Sequence, residues 1–214
     1  MEDVLDVYQR PLDPKRPLVC LDEGSKQLLD DSRPPLPMQP KVGEQEGHPV
    51  REDYEYVREG TCSFFMTFAP LLSWRHVCVT KRRTAQDFAS VVKDLVDGQF
   101  PDAEKIVLVL DNLNTHTPAS LYEAFEPAEA KRLADKLEIH YTPKHGSWLD
   151  MAEIELSVLG WQCLDRRLPD VETLIREIAA WEAARNAAQL TVHWHFTTEQ
   201  ARIKLKKLYP ILLP

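Results

Sequence analysis

The sequence predicts an α/β fold: a mixed β-sheet with helices on both faces, followed by C-terminal helices. Three observations lead there. Two short apolar runs, Leu18 to Leu21 and Ile106 to Leu110, contain no polar residue and each is followed by an aspartate, which is the pattern of strands covered on both sides. Between them lie three segments rich in β-branched and aromatic residues. From Thr84 onward helical periods alternate with strand-like runs, and strands followed by such alternating units make a mixed sheet.

Taken in order, residues 1–16 read as an N-terminal helix and linker. The start, Met1 to Arg10, is acidic and amphipathic, with neither the basic nor the apolar region of a secretory signal. No apolar run approaches the length of a membrane span, so a cytoplasmic protein with no membrane partner is expected. The run Pro17 to Glu23 reads as a buried strand that delivers Asp22 at its tip. Eight of the 16 prolines lie between Pro11 and Pro49, and residues 32–50 lack periodicity, so this stretch reads as an exposed Pro-rich loop. Tyr54 to Arg58, Thr61 to Ala69 and His76 to Thr80 follow, separated by Gly60 and by the turn Pro70 to Trp74, as an antiparallel meander.

Phe88, Val91, Val92, Leu95 and Val96 recur at helical spacing, with Thr84 and Asp87 placed to cap the start and Gly98 the end. Lys105 to Asp111 reads as a central strand, Ala119 to Leu137 as helical, Glu138 to Thr142 as a strand, and Leu149 to Cys163 as a helix after the loop Pro143 to Ser147. Val171, Leu174, Ile175, Ile178 and Trp181 form one apolar stripe of a further helix, read as core or interface, and Thr197 to Gln200 reads as a capping box opening the last. The main domain is expected over residues 17–165, with residues 166–214 as a C-terminal helical extension.

At 214 residues, 43% hydrophobic and 28% charged, the chain has the proportions of a soluble globular protein with one main domain. Cys20, Cys62, Cys78 and Cys163 form no C-x-x-C pair and sit among apolar residues, so they read as buried free thiols. A net charge of -8 argues against gripping DNA by bulk electrostatics, although basic stretches occur at Lys81, Arg82 and Arg83 and from Arg202 to Lys207. The glycine-rich phosphate and dinucleotide loops and the G-x-S-x-G elbow are absent, so nucleotide-driven motors, dinucleotide enzymes and α/β-hydrolases find no support.

Two adjacent parallel strands each ending in an aspartate would place both carboxylates at one sheet edge, where open α/β sheets build sites. A third acid from a later helix would complete a set of oxygen ligands for hard divalent cations, and a pair of such ions suits in-line phosphoryl displacement. Taken singly, Asp22 and Asp111 fit equally well as turn formers or helix caps.

The wording around the acids adds to this. Leu110 to His116, and Tyr141 to Glu155 with its Pro143, Ser147, Asp150 and Glu153, resemble the second and third blocks of DDE transposases, in particular the bacterial insertion-sequence branch of the Tc/mariner superfamily, of the insertion-sequence 630 type. Phe196 to Pro210 is similar to the end of such proteins. The resemblance implies a ribonuclease-H-like catalytic domain with Asp22, Asp111 and Glu153 as catalytic residues and ligands of two magnesium or manganese ions. It also implies cleavage and strand transfer of DNA at transposon ends and at TA target sites, and it is compatible with a homodimer. The family's helix-turn-helix module is not recognisable ahead of Asp22, so it would come from a longer form or a separate chain. Where the family pattern S-x-x-N-x-x-E has asparagine, this chain has Asp150, which on a helix would share a face with Glu153 and could disturb metal geometry or raise a neighbour's pKa.

Other residues have a functional and a structural reading. Glu155 rivals Glu153, but two positions along a helix turn it to another face, toward a neighbouring element or solvent. His116 and His145 could meet a scissile phosphate, hold the carboxylates, or simply bond the loop backbone. Asn112 and Asn114 suit the turn after the strand. Lys81, Arg82 and Arg83 could contact phosphates or form a solvated turn. Trp148 could stack on an unpaired base, although core packing is the commoner outcome. His193 and His195 lack further zinc ligands nearby and read as structural. The alternatives to a transposase core are a ribonuclease-H-like nuclease without strand transfer, and a degenerate transposon fragment serving as an interaction module.

Overall fold

Alternation along the strands sorts the core into two layers. The computed structural model describes residues 1–43, 46–144 and 146–209. Its strands are β1 (Leu18–Asp31), β2 (Tyr56–Ala69), β3 (Trp74–Thr80), β4 (Ile106–Leu110) and β5 (Leu137–Tyr141), hydrogen-bonded in the order β3-β2-β1-β4-β5. The first two junctions are antiparallel, and β1 with β4 and β4 with β5 are parallel. The helices are α1 (Glu2–Tyr8), α2 (Ala85–Asp94), α3 (Pro118–Ala124), α4 (Pro127–Asp135), α5 (Met151–Leu159), α6 (Val171–Ala187) and α7 (Thr198–Lys204).

Val19, Leu21, Leu108 and Leu110 pack with Phe88 of α2, Leu121 of α3 and Leu133 of α4 on one side of the sheet. Cys20, Val107 and Val109 pack with Leu5 of α1, Ala152 of α5, Ile178 of α6 and Ala201 of α7 on the other. Period-two alternation thus gives β1 and β4 two buried faces, which is why these runs lack polar residues. Each fully buried side chain of this kind stabilises the fold by about 1.5–3 kcal/mol. Capping boxes open α2 (Thr84 with Asp87) and α7 (Thr197 with Gln200), at the positions the sequence indicates.

Several elements differ from the sequence reading. β1 does not end at Asp22. Its parallel pairing to β4 stops at Leu21, but β2 continues to supply antiparallel hydrogen bonds as far as Asp31, so the polar stretch from Gly24 onward remains strand. Gly60 does not separate two strands either. At φ +107 it lies within β2, opposite a register shift between Leu28 and Leu29, and absorbs a bulge. The meander therefore has two strands, not three. The stretch 119–137 breaks into α3 and α4 at Phe125 and Glu126, because Pro127 disfavours a helical residue before it and lacks an N–H. The Pro-rich segment carries two isolated antiparallel bridges, Leu36 with Arg51 and Gln39 with His48. On α6, Leu174, Ile178 and Trp181 are buried, whereas Ile175 is exposed. Cys20, Cys62 and Cys163 are buried free thiols, and Cys78 is half-buried. Among the described residues no helix is long and apolar enough to cross a membrane.

Candidate active site

The site begins where β1 and β4 part. Leu21 and Leu110 form their last pair, so Asp22 and Asp111 come next on neighbouring parallel strands, whose spacing is about 4.8 Å. Asp22 keeps its place because the chain around it is still held by β2, opposite Met66. Asp22 and Glu153 of α5 line a common cleft of about 620 Å³. Among the sequence candidates, Asp22, Asp111, Glu153, His116 and Asp150 thus cluster at one end of the sheet.

Each of the three carboxylates has one oxygen engaged by the protein. Asp22 Oδ1 accepts the Glu23 N–H at 2.8 Å, and Asp111 Oδ1 accepts from His116 Nδ1 at 2.6 Å and from the Leu113 N–H at 3.3 Å. Glu153 Oε1 accepts from Ser147 Oγ at 3.4 Å. Burial pushes the Asp22 carboxyl up to about 7 in spite of the Glu23 N–H, and the charges of Glu23, Asp111 and Glu153 push the same way. A set of oxygen donors under mutual repulsion, each with an oxygen to spare, fits a hard divalent cation.

His116 and Glu23 complete the cluster. The imidazole is 1% exposed and lies against the Phe88 ring, with centroids 4.9 Å apart. Its Nε2 lies 3.0 Å from Glu23 Oε2, close enough for charge but not aligned as a hydrogen bond. Burial alone would lower the His116 pKa, but the hydrogen bond to Asp111 and the Glu23 carboxylate overcome it and hold it at about 9. Glu23, Asp111 and His116 each offer an atom within 4.8 Å of the others, as metal ligands do. A histidine must be neutral to ligate, so at neutral pH the protonated ring acts as a counter-ion to the two acids. The sequence reading missed Glu23 as a site residue, taking it only as the end of the run Pro17 to Glu23. The available signal was its place next to Asp22 on a strand with two covered faces, which aims it to the opposite side.

Asp150 departs from expectation. It is the N-cap of α5, just outside the helix, with Oδ1 accepting from the Ala152 N–H at 2.9 Å and Oδ2 without a partner. The residue is 1% exposed, and burial pushes its carboxyl well above the usual range. Burial and the neighbouring acids thus disfavour its charged form, which brings its chemistry closer to that of an asparagine at the same place.

Glu155, two positions past Glu153, is fully buried, 3.2 Å from Arg75 Nε and 2.8 Å from Arg185 Nη2, so it ties α5 to β3 and α6. Asn112 and Asn114 are exposed in the turn after β4. Lys81, Arg82 and Arg83 are exposed after β3, and Arg83 Nη1 lies 3.7 Å from Glu23 Oε1. Trp148 is not core. It is 43% exposed and tilted against Phe196, because the short 3-10 turn Ser147–Leu149 buries Leu149 instead. His193 and His195 are exposed with ring centroids 6.5 Å apart, and neither joins a ligand group among the described residues. His145 lies outside the described residues.

Comparison with known proteins identifies the family and the fold. The family model described as "DDE superfamily endonuclease" matches residues 17–175. No curated protein matches the chain significantly in sequence. Among solved structures, the Mos1 strand transfer complex is similar at a TM-score of 0.57 and 16% identity, covering 85% of this chain and 51% of that one. The Mos1 transposase paired-end complex with left transposon end is similar at 0.56 and 16%, covering 87% and 54%. The Mos1 mariner paired-end complex with Mn is similar at 0.55 and 15%, again covering 87% and 54%. The chain spans about half the length of these solved chains and shares their fold, here a mixed five-stranded sheet with helices on both sides.

Proposed function

The chain belongs to the DDE superfamily endonucleases, and from that premise we propose that it is the catalytic core of a cut-and-paste DNA transposase of the insertion-sequence 630 branch of the Tc/mariner superfamily. Asp22, Asp111 and Glu153 are the ligands of two magnesium or manganese ions. One observation carries the reading: the register that ends on Leu21 and Leu110 sets Asp22 beside Asp111, and Asp22 shares a cleft with Glu153. Bound cations would activate the attacking oxygen and stabilise the leaving one in an in-line displacement at phosphorus.

The chain's own residues prepare that site. The His116 imidazolium, bonded to Asp111 and facing Glu23, restricts the Asp111 carboxylate to one orientation without competing as a ligand. Ser147 restrains Glu153 in the same manner. Asp150, whose side chain accepts the Ala152 N–H, starts α5 and thereby fixes the height of Glu153, one turn on. Substrate DNA comprises transposon ends and TA target sites, paired by a second copy of the chain. The setting is the cytoplasm.

The test supplies pre-cleaved ends and a plasmid with magnesium and looks for joined products. Joining by the chain, lost in Asp111→Asn and Glu153→Gln, is the expected result. Cleavage without joining would indicate a ribonuclease-H-like nuclease. Absence of both, with no metal-dependent thermal shift, would mean that the fold serves as an interaction module.

A further inference from the structure

The helix that carries Glu153 also builds a wall leading away from it. Glu153, Leu156, Ser157, Gly160 and Trp161 recur at i, i+3, i+4, i+7 and i+8, one face of α5 and of the π-turn Gly160–Leu164 that continues it, and all five line the cleft. Eight residues of helix span about 12 Å, so the far end of this wall is a few base steps from the acids. There Trp161 stands 78% exposed. Single exposed apolar residues are ordinary, but an indole exposed on the rim of a cleft that holds ionisable groups is placed to receive a flat ligand.

Gly160 gives an independent indication. Its backbone is helical, at φ -52 and ψ -56, a conformation any residue adopts, and a Cβ built on it would meet nothing within 4 Å. Neither backbone geometry nor packing calls for glycine, which is a poor helix former. What the missing side chain leaves is space in the cleft next to Trp161.

Charge narrows the ligand. Asp22, Glu153 and Asp165 outnumber the lysine of the cleft, Lys26, whose Nζ is drawn to the Leu164 carbonyl at 2.5 Å. A phosphate away from the metal-binding end would be repelled, whereas a neutral aromatic ring would not. We propose that the groove from Glu153 to Trp161 seats one unstacked nucleobase of the DNA beside the scissile phosphate, with the Trp161 indole as its stacking platform. This rests on reading the cleft as a DNA-cleaving centre.

The probe is a duplex oligonucleotide with a short single-stranded extension carrying 2-aminopurine, titrated with the full chain at low salt in calcium, which occupies oxygen sites. Stacking on the indole quenches the probe. Trp161→Ala is expected to weaken binding of the extended duplex by about tenfold to a hundredfold and to abolish the quench, since base stacking on an aromatic side chain contributes on that scale. Trp161→Phe keeps most of both. Gly160→Leu puts a side chain where a Cβ meets nothing within 4 Å, so it is expected to lose the quench while its melting temperature stays level or rises. Unchanged quenching in both Trp161→Ala and Gly160→Leu, or no quenching by the unaltered chain, overturns the proposal. So does a DNA-free loss of self-association in those variants, which would assign the patch to a second copy. A Trp161-dependent quench without any magnesium-dependent cleavage would retain the base site and refute the catalytic reading. Glu153-dependent cleavage with no role for Trp161 would do the reverse.

Discussion

Asp22→Asn should stabilise the metal-free protein at alkaline pH and abolish its response to magnesium. Burial holds the Asp22 carboxyl at about 7, against 3.8 for an ordinary aspartate. Below the ordinary value both the folded and the unfolded chain carry the proton, and no penalty exists. Between the two values the unfolded chain ionises while the folded one keeps its proton, so stability falls by about 1.4 kcal/mol per pH unit, and above about 7 the loss levels off near 4 kcal/mol. Partial exposure and relaxation reduce this, and about 2 kcal/mol, or a melting temperature higher by about 4–8 °C for a chain of this size, is the expected gain for Asp22→Asn in chelator at about pH 8. Asparagine still accepts the Glu23 N–H, so little else changes. The assay is thermal unfolding with chelator and then with millimolar magnesium, at about pH 4 and about pH 8. The difference should vanish at the acid end, and magnesium should raise the unaltered protein alone. Equal melting of both proteins at alkaline pH in chelator, or an equal magnesium response, would refute the account of Asp22 as a strained ligand.

Three further outcomes are expected. Glu155→Gln should cost about 3–5 kcal/mol in chemical denaturation, because it leaves the fully buried Arg75 without its counter-charge, yet most cleavage should survive at low temperature, whereas Glu153→Gln should remove cleavage without loss of stability. Asp150→Asn should flatten the fall in stability that the unaltered protein shows as pH rises above the ordinary aspartate value, a fall that arises because the folded carboxyl keeps its proton there, and cleavage should persist; urea midpoints measured across that range decide it. Binding to duplex DNA should be weak, should differ little between terminal-repeat and scrambled sequences, and should be lost steeply with salt, since the net charge is -8 and attraction for phosphate comes from local patches such as Lys81 to Arg83 and Arg202 to Lys207; tight, salt-resistant discrimination in a salt-titrated assay would contradict this.

Much of the fold was legible locally. Helix starts at Thr84 and Thr197 are written in residues three apart, and the double-sided burial of β1 and β4 is written in their unbroken apolar runs. The acids Asp22, Asp111 and Glu153 stood out by their place after those runs and by the motif around them, and so did the departure at Asp150.

Other features were decided by partners distant in the chain. Residues 24–31 are strand because β2 lies beside them, not because of their own pattern, and Gly60 bends a strand instead of ending one because Leu28 and Leu29 slip register opposite it. Trp148 is exposed because Leu149 takes the buried place in its turn. Asp150 looked like an extra negative charge, but α5 packed on the sheet buries it and disfavours its charged form; Glu23 looked like no more than the end of an apolar run, and His116, 93 residues on, makes it part of the site. Sequence alone determined the periodicities, the caps and the residue types of the site, because these depend on neighbours along the chain. Which strands extend, which carboxyls stay charged and which acids share a proton-bearing partner were left to the tertiary structure, because burial and Coulomb energy depend on distance through space.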